Sequence, residues 1–199
     1  MNAADLTELH YITPIANVPS ILKLGILSHR DVTRRRVNSV SVALPGVQER
    51  RESKVIPGAK PLHEYVNLYI CARNPMMYLR RAQHEALCVL QISPAVLTLP
   101  GVVIADGNAA SGPTAFWQSP SGLSKVDKDT VFAEWWTDAN EFVLWENRRV
   151  KCAEVLIPNG LGAKFILAAY VSCDTAEIQL KALAPKLKIV VDPHMFFRG

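Results

Sequence analysis

Apolar positions along the first part of the chain change their spacing twice. LHYITPI, residues 9–15, alternates closely enough for a strand that Pro14 ends. NVPSILKLGILS then sets Val18, Ile21, Leu22 and Leu24 at helical spacing. Asn17 suits its N-cap, Pro19 its first turn and Gly25 its stop. Residues 28–60 are polar and only weakly periodic, which reads as a long loop with room for a short helix. EYVNLYICA is rich in β-formers, and NPMMYLRRAQ follows with Pro75 placed to open a helix. EALCVLQI reads as a buried strand, and VLTLPGVVIAD turns at Pro100-Gly101 into a second short one. DGNAASGPTAF is a loop or a helix cap, VDKDTVFAEWW a helix. FVLWENRRV leads into the strand KCAEVLIP at 151–158, and KFILAAYVSC is another strand. DTAEIQLKALAPKLKI is a helix capped by Asp174 or Thr175, and IVVDPHMF closes the chain as a strand.

Strands neighbour strands in this order, and helices fall mostly early and late. That is not βαβ alternation, so the fold class is α+β. No repeat, linker or low-complexity segment interrupts it, so residues 1–199 are expected to form one domain.

Composition narrows the function classes. Apolar residues at 49% and charged ones at 20% fit a globular, soluble chain, and no apolar run approaches the ~18 residues of a membrane span. The start, MNAADLTELH, lacks the basic and apolar regions of a secretory signal, so a cytoplasmic protein is expected. Cys71, Cys88, Cys152 and Cys173 form no CxxC pair, the histidines no HExxH, so free thiols and no metal are expected. Net charge is only +4, but residues 30–60 concentrate Arg30, Arg34, Arg35, Arg36, Arg50, Arg51, Lys54 and Lys60 against three acids. Such a block suits a polyanion or a phosphorylated cofactor, or is a solvated basic face. GxGxxG, GxxxxGK[ST] and GxSxG are all absent, which disfavours the common nucleotide enzymes and hydrolases.

Glu154 is the sharpest candidate. A carboxylate inside the apolar run of KCAEVLIP costs several kcal/mol unless it is paired or faces a cleft. Arg148, Arg149 and Lys151 lie just upstream as partners. Strand alternation also permits a plain solvent-facing acid, with Ala153 and Val155 turned the other way. Asp106 in DGN reads equally as a turn residue or a cap. Among the tryptophans, Trp135-Trp136 is expected to bury one ring and part-expose the other, with base stacking as the functional alternative.

HYITPIANVPSILKLGILS, VQERRES, LHEYVNLYICARNPMMY, ADGNAAS and VKCAEVLIP, in that order over roughly residues 8–172, resemble the DarT family of DNA ADP-ribosyltransferase toxins. The resemblance implies an ADP-ribosyltransferase fold, whose split, two-sheet β core with flanking helices holds NAD in a cleft. It implies that the nicotinamide–ribose bond of NAD breaks and ADP-ribose passes to a base of single-stranded DNA. It places the catalytic glutamate at Glu154. The family's His-x-Thr element on the first strand, which grips NAD, matches at Thr13, and the following asparagine matches Asn17. The histidine's position falls on Tyr11, with His10 beside it, so either fills that role. Arg50 or Arg51 corresponds to the arginine on the NAD phosphates, Met76 to a pocket-lining residue, and Arg148 to an arginine near the catalytic carboxylate. The segment 136–150 is where this fold commonly selects its acceptor. The expected partners are single-stranded DNA and a macrodomain antitoxin, DarG, that removes the modification. Two other readings stay open: the same fold acting on RNA or protein, and a non-catalytic nucleic-acid-binding module.

Overall fold

A computed structural model describes residues 1–42 and 45–198; Ala43, Leu44 and the final glycine lie outside the described residues, so the 28–60 loop and the 1–199 domain are read without them. Ten strands are described: β1 Leu9–Pro14, β2 Ile26–Leu27, β3 Tyr65–Tyr69, β4 Leu87–Ile92, β5 Val103–Ala105, β6 Phe116–Gln118, β7 Glu154–Pro158, β8 Gly160–Leu161, β9 Ile166–Val171 and β10 Ile189–Val191. The α-helices are α1 Val18–Leu24, α2 His29–Arg34, α3 Pro45–Ser53, α4 Pro75–Arg80, α5 Lys128–Phe132, α6 Glu141–Lys151 and α7 Asp174–Leu183.

Eight strands form one sheet in the order β10-β9-β4-β1-β3-β7-β5-β6, and β2 pairs with β8 apart from it. The join at the middle is narrow. β1 runs alongside β4 from Leu9–Ile92 to Pro14–Leu87, but meets β3 through the single pair His10–Tyr69. Beyond that pair the two halves of the sheet part, and the C-terminal end of β1 and the N-terminal end of β3 flank a cleft. These halves are the split β core that the resemblance implies, joined at that one pair into a single eight-stranded sheet with flanking helices.

Leu9, Cys88, Leu90, Ile92, Leu68, Ile70, Val155 and Ile157 share the larger apolar cluster, joined there by Val18 and Ile21 of α1 and Leu180 of α7. On the other face of β7, Leu156 packs with Ile56, Leu62, Tyr65, Ala105 and Ala109. The strand is therefore covered on both faces, which leaves no solvent-facing side for Glu154.

Several helices end where their capping residues dictate. Asn74 Oδ1 accepts from Met77 N–H (3.1 Å), with Pro75 at the first helical position of α4. Asn140 caps α6 and Asp127 caps α5. Gly25 closes α1 at φ 82°, and a Cβ there would meet the Leu161 carbonyl oxygen at 2.5 Å. Other expectations change. The 28–60 stretch holds two helices, α2 and α3; FVLWENRRV is most of helix α6; and the N-cap position of α7 falls on Cys173, one residue before the expected cap, with no side-chain capping bond. VDKDTVFAEWW is helical only through Phe132, because Ala133 turns extended. Trp136 is buried and Trp135 exposed, as expected for that pair. Among the described residues, no helix is long and apolar enough to cross a membrane.

His10 does not point at the cleft. Its Nδ1 lies 3.2 Å from the Ile70 carbonyl and its Nε2 3.0 Å from Glu8 Oε1, so it braces the narrow join of the sheet. Glu8 also accepts from Tyr170 Oη (2.7 Å) and from Gln91 Nε2. Burial alone would raise the Glu8 pKa, but the bonds from His10, Tyr170 and Gln91 outweigh it and hold the group at about 2. A folded-state value below the unfolded one stabilises the fold above the unfolded pKa, and that stability is lost as pH falls toward 2. The melting temperature should therefore drop between about pH 5 and pH 2. Glu8→Gln should flatten that part of the curve in a thermal-denaturation series; an unchanged slope would refute the assignment.

Candidate active site

The cleft opens into a cavity of about 690 Å³ lined from both halves of the sheet. β1 contributes Tyr11 and Thr13, β3 contributes Asn67 and Tyr69, and β7 contributes Glu154. Arg50 and Arg51 enter from α3, Met76 from α4, and Trp145 and Arg148 from α6.

Glu154 is 1% exposed at the floor of this cavity. It is the first residue of β7, opposite Tyr69 on one neighbouring strand and Ala105 on the other. Its carboxylate takes two kinds of donor. Arg51 Nη1 lies 3.1 Å from Oε2 and 3.4 Å from Oε1. The backbone N–H of Ala109 donates to Oε1 at 3.0 Å. A buried carboxylate held by a guanidinium and a main-chain donor is fixed in direction, because neither partner can swing away cheaply. Burial, then Glu154, hold the Tyr69 hydroxyl well above its ordinary pKa, and burial raises the Cys152 thiol to about 12. Both stay protonated beside the carboxylate.

The partner of Glu154 is thus not one of the upstream cations. Lys151 points away, its Nζ on the carbonyls of Val131 (2.8 Å) and Ala133 (2.5 Å). Arg149 pairs with Asp106 (2.8 Å) and Glu146 (2.6 Å). Arg148 is exposed on the cavity wall. The two arginines of VQERRES separate by helical geometry: Arg51 is 9% exposed and ion-paired, and Arg50 is exposed at the cavity edge.

Asn17 sits where an N-cap would, yet its side chain makes no capping bond. Instead Nδ2 donates to Thr13 Oγ1 (3.2 Å) and to the Val40 carbonyl (2.8 Å), and Oδ1 accepts from Val40 N–H (3.0 Å). One amide thereby fixes the Thr13 hydroxyl and pins residue 40 to the rim. Arg80 Nε donates to the Val42 carbonyl at 3.0 Å and holds the same segment from the far side. Tyr11 is pushed up to about 12 by burial, against the opposing pull of Arg51. On β1, Tyr11 and Thr13 line the cavity, whereas His10 does not and faces away from any ligand there. One residue along a strand turns the side chain away.

The family model described as "ssDNA thymidine ADP-ribosyltransferase, DarT" matches residues 10–197. The chain belongs to the DarT family. A DNA ADP-ribosyl transferase–DNA ADP-ribosyl glycohydrolase fusion protein of Thermosipho africanus is 31% identical over 198 residues, 96% of this DarT-family chain and 49% of the fusion. The chain thus spans about half the length of that relative. The solved Thermosipho africanus DarTG in complex with ADP-ribose has a TM-score of 0.84 at 30% identity, covering 97% of this chain and 52% of that one. Thermus sp. 2.9 DarT in complex with ADP-ribosylated ssDNA has the same TM-score at 21% identity, covering 98% and 99%, and shows the common fold.

Sequence reading missed the Ala109 N–H, the Tyr69 hydroxyl and the Arg149–Asp106 pair of this DarT-family site. ADGNA signalled a turn, but not that its amide would meet Glu154. It also missed that His84, Glu85 and Cys173 bring possible ligand atoms within 4.8 Å of one another. These residues do not line the cavity, and His84 Nδ1 is already bonded to Ser172 Oγ (2.7 Å).

Proposed function

We propose that this chain, folded as a single domain, transfers ADP-ribose from NAD to thymidine in single-stranded DNA. The observation that carries the reading is Glu154, fixed by Arg51 and Ala109 at the base of a cleft that Tyr11, Thr13 and Asn17 border. A cavity of this volume is of the size that takes a nucleotide-sized ligand. NAD supplies an activated ribose whose nicotinamide leaves.

Each wall offers a distinct complement to NAD. The guanidinium of Arg51, with Arg50 at the edge, suits the pyrophosphate through paired hydrogen bonds. The Thr13 hydroxyl and the Asn17 amide offer neutral polar contacts to a ribose or an amide. Met76 gives a soft apolar surface for a ring. Glu154 sits where positive charge develops on the ribose as the leaving group departs, and a fixed carboxylate in a water-poor site stabilises that charge strongly. The same carboxylate can receive the proton released by the attacking base. Trp145 and Arg148, on the α6 side of the cavity, offer a stacking face and a cation to the incoming strand.

In the Thermosipho relative, a DNA ADP-ribosyl glycohydrolase is joined to the transferase in one protein. By that analogy this chain acts as the toxin of a pair, opposed by a macrodomain antitoxin of the DarG kind. The test is to incubate the chain and NAD with thymidine-containing single-stranded DNA, thymidine-free single-stranded DNA, duplex DNA and RNA of matched length. Mass spectrometry should find one ADP-ribose added to the first substrate only. Label on RNA, or on the protein itself with bare DNA, would refute the proposed acceptor.

A further inference from the structure

Between β5 and β6 the chain crosses the floor of the cavity, and the Ala109 N–H that meets Glu154 belongs to this crossing. Nothing in Ala109 itself fixes that N–H. The residues around it do. Asn108 N–H donates to the Arg149 carbonyl at 2.8 Å, and the Asn108 carbonyl accepts from Thr114 Oγ1 at 2.7 Å. The Arg149 guanidinium lies under the same turn, with Nη1 donating to Asp106 Oδ1 (2.8 Å) and Thr114 Oγ1 (3.2 Å). Asp106 Oδ1 also accepts from Ala115 N–H at 3.0 Å, which closes the far end of the loop. The other edge of the guanidinium is held by Glu146, one turn back on α6. Its bonds to Glu146 and, against the effect of burial, to Asp106 raise the Arg149 pKa above its ordinary value. The fit allows no side chain at residue 107, because a Cβ on Gly107 would stand 2.4 Å from Arg149 Nη1 and 2.9 Å from the Arg149 carbonyl oxygen.

We infer that Arg149, with Asp106, is the positioning residue of the transfer reaction: it holds the 106–114 loop so that Ala109 N–H sets the Glu154 carboxylate. Arg149 forms its ion pairs with Asp106 and Glu146, while Glu154 takes Arg51. Its influence on Glu154 therefore runs through the loop and through the α6–β7 backbone. The inference rests on the proposed role of Glu154. Displacing a catalytic group by about 1 Å can cost 100-fold in rate without changing how tightly the ligand is held.

The test uses the full chain and compares Arg149→Lys, Asp106→Asn and Gly107→Ala. Each should lower kcat about 10- to 100-fold, with KM and Kd for NAD within about threefold of the parent. Arg149→Lys/Asp106→Asn together should be no slower than Arg149→Lys alone, since the two act as a unit. In a Glu154→Gln background none of them should lower the residual rate further. Gly107→Ala leaves every charge in place and decides the matter if the charge variants do not fold. A kcat within about twofold of the parent in folded Gly107→Ala would overturn the inference, as would a raised KM at unchanged kcat, which marks Arg149 as mere cavity lining. Glu154→Gln is run beside them. If it is inactive while Arg149→Lys and Gly107→Ala keep full kcat, the positioning role alone fails; if it is fully active, both readings fail.

Discussion

Glu154→Gln should reduce ADP-ribose transfer by about 1,000-fold or more while the protein still folds and binds NAD. Glutamine keeps the shape of the side chain and an acceptor oxygen for Ala109 N–H, so the loop stays in place. On the proposed mechanism, what disappears is the negative charge facing the ribose and the base that takes a proton. Because the interaction gains its strength in the transition state, the loss should fall on kcat. Glu154→Ala should be equally inactive but less informative, since it also strips the buried Arg51 and Ala109 of their acceptor. Turnover of labelled NAD with a thymidine-containing oligonucleotide measures the effect; a Glu154→Gln enzyme within tenfold of the parent would remove Glu154 from the mechanism.

The second large effect is expected at Arg51, and it has two parts. Arg51→Met should weaken NAD binding and slow transfer, together at least about 100-fold in kcat/KM, because a charged fork is lost from the cavity. It also leaves the Glu154 carboxylate at 1% exposure with one main-chain donor. Breaking a buried ion pair from one side costs about 3–5 kcal/mol, so the melting temperature should fall clearly. Combining Arg51→Met with Glu154→Gln removes the stranded charge, and most of the stability should return while activity does not. Thermal melts of the two single variants and the double variant, beside NAD titrations, separate the parts. Additive losses of stability in the double variant would show that the two side chains do not form the pair described.

Which parts of the site were readable differs residue by residue. Glu154 stood out because a charge in an apolar strand is costly, and that cost is a property of residue order. Thr13 and Asn17 were found through the resemblance, but the work of Asn17 was misjudged. Its position suggested a helix cap, and its amide instead ties Thr13 to residue 40, a contact that spans 23 residues. His10 and Tyr11 were indistinguishable because strand spacing gives the alternation and not its phase, and the pairing of β1 with β4 supplies the phase. FVLWENRRV was not recognised as a helix because its apolar side chains Phe142, Val143 and Trp145 are exposed, so the stripe that normally reports a buried helical face is missing.

Residue order by itself determined the α+β class, the strands β1, β3, β4 and β7, the starts of α1 and α4, and the family, since these follow from periodicity, proline and glycine positions, and local motifs. Only the tertiary structure decided which cation meets Glu154. The three nearest in sequence, Arg148, Arg149 and Lys151, belong to a helix that directs them elsewhere, and the one chosen, Arg51, lies 103 residues away. The physical reason is that ion pairing depends on distance in space. A sheet joined through one residue pair lets α3 and the 106–114 loop converge on the end of β7 from opposite parts of the chain.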